Sequence, residues 1–254
     1  MKLLFLGTGT STGVPQIKCH CPVCSSADPR DRRLRTSALL TVDDKKILID
    51  CGPDFREQML RNDSPDIDAV LITHSHYDHT AGIDDLRPYS YHREGGLTVY
   101  GPAETVIELM RRQPYCFGVS NYPGVPRLRL SEIGTSRFAV EGIEVTPLPV
   151  IHGNVPAVGY RIGPLSYITD CKTMPAETLK LLEGTQILVI NALRFDEHGS
   201  HLNVDQALAI VEAVAPRATY FTHMSHHIGL HASTQSLLPP SVHLAHDGLL
   251  ISLT

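Results

Sequence analysis

The chain has 254 residues, 42% of them hydrophobic, enough to bury a large core as one big domain or two small ones. A formal net charge of −5 gives no global basic field to recruit nucleic acid, and no apolar run approaches the ~18 residues of a membrane span. The 14 histidines fall mostly in clusters, and the six cysteines, three together and three scattered, do not form a secreted disulfide framework.

In chain order, Lys2 to Leu6 is predicted as a strand running into the Gly-rich loop Gly7 to Gly13. Leu3-Leu4-Phe5-Leu6 is too short for a signal peptide and Gly7 ends it, so a reducing, cytoplasmic location is expected. The loop lacks the Lys of a Walker phosphate cradle; it permits a tight turn, with or without a substrate contact. Cys19-His20-Cys21-Pro22-Val23-Cys24 follows. Three soft thiolates within six residues suggest a structural zinc in a loop near 19–24, with a fourth ligand from elsewhere, His20 and His227 being candidates by proximity.

Ser37 to Val42 and Lys46 to Asp50 flank Asp43-Asp44 as a hairpin, and a helix is predicted from about Asp54 to Arg61. Asp50 reads first as a turn or cap aspartate and second as a carboxylate beneath a metal loop. Cys51 reads as a small packing residue. Ala69 to Ile72 is a short buried strand, and Ala81 to Leu86 looks like the opening of a helix. Between them lies Thr73-His74-Ser75-His76-Tyr77-Asp78-His79-Thr80. Three imidazoles and a carboxylate on one strand-to-helix turn suit a divalent ion such as zinc, manganese or iron. Four such donors exceed what one open tetrahedral ion takes from one loop. Two adjacent ions, with further ligands from later in the chain, are therefore expected.

Downstream, Arg87 either pairs with Asp84 or Asp85, the favoured reading, or contacts a phosphate. Leu97 to Tyr100 is a strand and Ala103 to Arg112 a helix. The Pro- and Gly-rich stretch 114–126 is either a specificity loop or a plain connection. Strands over 138–140, 143–145, 157–162 and 166–169 surround turns at Glu141-Gly142 and Gly163-Pro164. A coordinating residue just past a β run recurs three times, at His152, Asp170 and His223. A helix near Pro175 to Leu182, a strand Ile187 to Ile190 and a helix capped by Asn203 come between the last two. A terminal strand covers Leu249 to Leu253, and the spacing of His246 and Asp247 does not compel an outer-shell pair.

The central block resembles the metal-binding signature of the metallo-β-lactamase superfamily. In more detail the chain resembles its small PhnP-like branch, that of phosphoribosyl cyclic phosphate phosphodiesterases. The likeness runs from Leu6-Gly7-Thr8-Gly9-Thr10 to Asp247-Gly248. It implies one domain over 1–254, a four-layer αββα sandwich with the metal cleft at the sheet edges. It also implies that His74, His76 and His152 take one ion, that Asp78, His79 and His223 take the other, and that Asp170 bridges them. The seven positions show no departure from the superfamily pattern. His226, three residues after His223, is implied as the fourth ligand of the structural zinc beside Cys19, Cys21 and Cys24.

The same resemblance implies a phosphodiesterase with two zinc or manganese ions, in which Asp78 and Asp170 orient a bridging water. His201 is the implied general acid, a role suited to its ordinary pKa; His198 reads as a solvated loop residue and Ser75 as a spacer. A small, cyclic or sugar-linked phosphodiester is the expected substrate, with no nucleic acid or membrane partner and a homodimer as the family form. The alternatives are a zinc-dependent thioesterase or lactonase, a tRNA 3′-end nuclease, and a non-catalytic partner similar to the B-type protein of pyrroloquinoline quinone synthesis.

Overall fold

In a computed structural model, which describes residues 1–91, 93–118, 122 and 124–253, fourteen strands form two seven-stranded sheets. The first half of the chain runs β1 (Lys2–Gly7), β2 (Ser37–Val42), β3 (Lys45–Ile49), α1 (Phe55–Arg61), β4 (Ala69–Leu71), α2 (Tyr77–Thr80), α3 (Arg87–Ser90), β5 (Leu97–Pro102), α4 (Ala103–Arg112) and β6 (Leu128–Ile133). The second half runs β7 (Phe138–Val140), β8 (Ile143–His152), β9 (Val155–Ile162), β10 (Leu165–Ile168), α5 (Ala176–Leu181), β11 (Ile187–Asn191), α6 (Val204–Val214), β12 (Ala218–Thr222), α7 (His231–Gln235), β13 (Val242–Leu244) and β14 (Leu250–Ser252).

The sheets mirror each other in plan. One is ordered β14-β1-β2-β3-β4-β5-β6 and the other β13-β12-β11-β10-β9-β8-β7. Each has an antiparallel half, β14 to β3 and β7 to β10, joined to a parallel half, β3 to β6 and β10 to β13. The central parallel strands β4 and β11 carry continuous buried runs because both their faces are covered. Ile47, Ile49, Ala69 and Leu71 point between the sheets, toward Tyr160, Tyr167, Ile187 and Val189. Their neighbours Leu48, Val70 and Ile72 face outward beneath Phe55, Met59 and Leu109 of α1 and α4. Leu188 and Ile190 likewise pack outward against Val204 and Ala207 of α6. Two helical layers thus sandwich two sheets, as expected. Each fully buried Leu or Ile contributes roughly 1.5–3 kcal/mol of transfer free energy.

The predicted elements recur with small boundary shifts, with one correction. The helix after the central motif does not open at Ala81; α2 already begins at Tyr77, inside the motif, and Ile83–Leu86 is a 3₁₀ turn. Thr80 Oγ1 donates to the His76 carbonyl at 2.9 Å, closing that turn around Asp78 and His79. The terminal strand β14 is an edge strand on β1.

Candidate metal centre

The chemistry-bearing residues leave the ends of strands in both sheets. Asp50 follows β3, Thr73 and His74 follow β4, His152 closes β8, Asp170 follows β10 and His223 follows β12. At Asp50, Asp170 and His223 the backbone turns sharply, with φ of 63°, 54° and 56°. Left-handed backbone at a non-glycine residue costs on the order of 1 kcal/mol or more and persists only where surrounding contacts hold it. Those contacts are on hand. Tyr160 Oη, on the second sheet, donates to the Ile72 carbonyl at 2.6 Å, and Val158 N donates to Thr73 O at 3.0 Å, so the two sheets are tied directly beneath the histidine loop. Gly52 is required by close approach, since a Cβ there would sit 2.1 Å from the Asp78 carbonyl oxygen.

Four trios of donor atoms converge here, with all members of a trio within 4.8 Å of one another: His74, His76 and His152; Asp78, His79 and His223; His74, His79 and Asp170; and His152, Asp170 and His201. Asp170 lies between the first two. Its Oδ2 is 3.2 Å from both His79 Nε2 and His223 Nε2, while its Oδ1 is 3.7 Å from His152 Nε2. Asp78 Oδ2 faces His79 Nε2 at 3.2 Å and His223 Nε2 at 3.4 Å. His74, His79, Asp170 and His223 are fully or almost fully buried.

The imidazole tautomers follow from their outer partners. Asp50 Oδ2 lies 2.7 Å from His79 Nδ1; a carboxylate only accepts, so Nδ1 donates and Nε2 keeps a lone pair toward Asp78 and Asp170. Thr73 Oγ1 donates to Asp50 and accepts from His74 Nδ1 at 3.1 Å, which leaves His74 Nε2 free. His152 Nδ1 donates to the Ser200 carbonyl at 2.7 Å, freeing its Nε2 in the same way. His74 Nε2 and His79 Nε2 are buried without a hydrogen-bond partner among the described residues. Buried orphan nitrogens are costly unless something accepts their lone pairs.

The electrostatics point the same way. Burial and the neighbouring His79 hold His74 well below the usual imidazole range. Burial opposes ionisation of Asp170, but His223 and His79 outweigh it and keep the carboxyl well below its usual range. Asp78 is lowered too, by His79 and His223 against burial. His79, ringed by Asp78, Asp170 and Asp50, is driven well above its usual range despite burial. A proton there takes the place that a cation would fill. Neutral imidazoles, ionised carboxylates and orphaned lone pairs facing one space fit divalent cations.

His201, just ahead of α6, stands against this group. Its Nδ1 is 3.7 Å from Asp170 Oδ1, and burial followed by His223 pushes it down to about 3. His198 is peripheral, its Nδ1 accepting from Ser200 N at 3.3 Å. Asn203 caps α6 with a reciprocal Gln206 capping box, which fixes the loop that carries His201.

The cysteines form a separate cluster. Donor atoms of Cys19, Cys21, Cys24 and His226 all lie within 4.8 Å of one another, with His226 Nδ1 3.4 Å from Cys19 Sγ and 3.3 Å from Cys21 Sγ. Tetrahedral zinc with ordinary bond lengths separates its ligand atoms by about 3.5 Å. His20 and His227 are not in the group. The Cys24 amide and then His226 pull the Cys21 thiol down to about 6, toward the thiolate a metal binds.

Other expectations come apart. Asp50 is no helix cap: the first-ranked reading is corrected, because its side chain serves Thr73 and His79 while Asp54 stands at the start of α1. Arg87 pairs with Asp84 at 2.6 Å and donates to the Gly124 carbonyl, so its guanidinium is committed. Within the 114–126 stretch, 119–121 and 123 lie outside the described residues; Pro114–Phe117 is a 3₁₀ turn. His246 and Asp247 form no outer-shell pair. Asp247 instead accepts from Thr8 Oγ1 and Leu34 N, tying the chain's end to its start. Sequence reasoning missed Thr73, the Ser200 carbonyl and Asn191, whose amide clamps the Cys171 backbone beside Asp170.

A family model described as the beta-lactamase superfamily domain matches residues 45–224. The crystal structure of a diphosphatase from the PhnP family superposes with a TM-score of 0.92 at 41% identity, covering 98% of this chain and 96% of that one. Zinc-bound PqqB from Methylobacterium extorquens shares the fold with a TM-score of 0.82 at 20% identity, both chains covered in full. An octanoyltransferase of Porphyromonas gingivalis is 43% identical over 252 residues, 98% of this chain but 51% of that protein. The chain spans about half the length of the curated relatives it matches.

Proposed function

We propose that this chain, which belongs to the metallo-β-lactamase superfamily and within it to the PhnP-like branch, is a dinuclear metal-dependent phosphodiesterase acting on a small, cyclic or sugar-linked phosphodiester. The superfamily is one of metal-using hydrolases, and the 41% identical diphosphatase matched along nearly its whole length supports phosphoryl chemistry within it. The P. gingivalis name belongs to a protein twice as long and assigns no activity to this chain.

The observation that carries the reading is the division of Asp170, with Oδ1 toward His152 and His201 and Oδ2 toward His79 and His223. A carboxylate so placed suits two cations about 4 Å apart, one among His74, His76 and His152 and the other among Asp78, His79 and His223. Zinc and manganese both match the donors. When bound, the pair supplies an activated water near neutral pH and positive charge opposite the phosphoryl oxygens.

The chain's own groups do the rest. Asp78 and Asp170, held ionised, orient the attacking water by accepting its hydrogens. His201 Nδ1, beside Asp170, gives a proton to the departing alkoxide. A third ion, a structural zinc, is assigned to Cys19, Cys21, Cys24 and His226 and pins the 19–24 loop to the region after β12. The six free cysteines fit a reducing, cytoplasmic setting, and a homodimer accompanies the family reading.

The test is a substrate comparison on metal-loaded protein. Hydrolysis of bis(p-nitrophenyl) phosphate, with nitrocefin and an acyl thioester left intact, is expected. Turnover of either of the latter without the diester overturns the assignment.

A further inference from the structure

β10 and β11 run in parallel register as far as Ile168 opposite Ile190, and the chain then turns out at Asp170, whose φ is 54°. That turn carries the peptide of Cys171 off the ladder. Asn191, fully buried at the end of β11, meets the peptide with its side chain: Oδ1 accepts from Cys171 N at 2.8 Å and Nδ2 donates to Cys171 O at 3.1 Å. A side-chain amide presents an acceptor and a donor side by side, the pattern that a peptide group requires. The same peptide reaches the other side of the site. Cys171 O also accepts from Leu202 N at 2.8 Å, and Leu202 O accepts from Leu193 N at 3.0 Å.

Cys171 follows Asp170 and Leu202 follows His201, so the two segments that carry these side chains are bonded to each other at one peptide. One amide clamps that peptide. Thr169 Oγ1, which donates to Asp170 Oδ2 at 2.7 Å, sets the rotation of the carboxylate but not the course of the backbone beneath it. Ala192 N donates to Thr222 O at 3.2 Å, just ahead of His223, a contact that any residue's backbone supplies. Of the three residues 191–193, only Asn191 acts through its side chain. We propose that Asn191 is a positioning residue: it holds Asp170 Oδ1 and His201 Nδ1, 3.7 Å apart, in a fixed relation through the peptide of Cys171. For His201 the inference rests on the phosphodiesterase reading; for Asp170 it rests on metal binding alone.

The experiment compares wild type with Asn191→Leu, which keeps the volume and removes both bonds. Asn191→Thr, which suits a strand end and keeps a hydroxyl near Cys171 O, serves if the first variant fails to fold. Chelator competition should show manganese held about 10- to 100-fold more weakly by the cluster, since Asp170 no longer faces both positions. The second readout is kcat at saturating manganese on methyl p-nitrophenyl phosphate and on methyl phenyl phosphate. The poorer leaving group depends more on a proton from His201, so the variant should lose about tenfold more on the phenyl ester, with KM little changed. In a His201→Ala background, Asn191→Leu should leave the ratio of the two rates unmoved, because the group it positions is gone. A merely structural role lowers the melting temperature and moves neither readout. Wild-type manganese affinity in the variants overturns the proposal, and so does an unchanged rate ratio. If metal-loaded wild type cleaves neither ester, the phosphodiesterase reading fails and manganese affinity alone decides the role of Asn191.

Discussion

Asp50 Oδ2 and His79 Nδ1 lie 2.7 Å apart, both side chains fully buried, while Asp50 Oδ1 accepts from the Thr73 amide at 2.8 Å. One carboxylate therefore sets the tautomer of His79 directly and that of His74 through the Thr73 hydroxyl. An amide in its place can donate to His79 Nδ1, which moves the ring proton to Nε2 and removes the lone pair facing the cluster. Asp50→Asn should weaken metal binding about 10- to 100-fold, read by chelator competition on protein whose circular dichroism matches wild type. Wild-type affinity contradicts the positioning role.

His201 is expected to act on substrate and not to hold metal. His201→Ala should lower kcat on bis(p-nitrophenyl) phosphate by about 10²–10⁴ with the metal content of the cluster unchanged. Loss of metal from that variant makes His201 a ligand, a role its place beside His152 and Asp170 permits geometrically.

For the cysteine cluster, metal analysis of Cys21→Ser should find one zinc fewer per chain, with a lower melting temperature. The 19–24 loop has little else to hold it, since among its residues only Val23 is buried. Unchanged zinc content removes the site.

A pH effect is expected away from the metals. His231 Nδ1 lies 3.2 Å from Arg33 Nη2, and a guanidinium only donates, so Nδ1 is the acceptor and the ring is neutral. Burial, then Arg33 and Arg30, push His231 down from 6.5 to about 4. The folded state disfavours the proton, so this stabilisation is full above pH 6.5 and is lost as pH falls through 4. Its size is up to about 3 kcal/mol. His231→Asn keeps an acceptor near Nδ1 without titrating. The unfolding free energy of wild type relative to His231→Asn should therefore drop between pH 6.5 and 4; a pH-independent difference rules this out.

The donor residues that the structure gathers were legible because donors at strand ends stand out against the apolar runs that carry them, as His152, Asp170 and His223 do. Asp50 was harder: before Cys51-Gly52-Pro53, an aspartate carries the signal of a turn, and only the tertiary approach of His79 distinguishes it. The onset of α2 at Tyr77 was hidden because a four-residue helix of Tyr, Asp, His and Thr has neither apolar period nor strong propensity. β6 alternates Leu128 and Leu130 with Arg129 and Ser131 at a sheet edge, a weak pattern. The Ser200 carbonyl leaves no trace in sequence, because any residue supplies one. Arg87 drew attention by lying close after the motif, yet an acid three residues before it claims its charge.

The most direct measurement is a titration of metal-depleted protein with manganese, following hydrolysis of bis(p-nitrophenyl) phosphate and bound metal together. Activity should appear only as both cluster positions fill, two equivalents per chain beyond any zinc held by the cysteines, and should vanish on chelation. Full turnover with one cluster ion, or no turnover with two, would contradict the account.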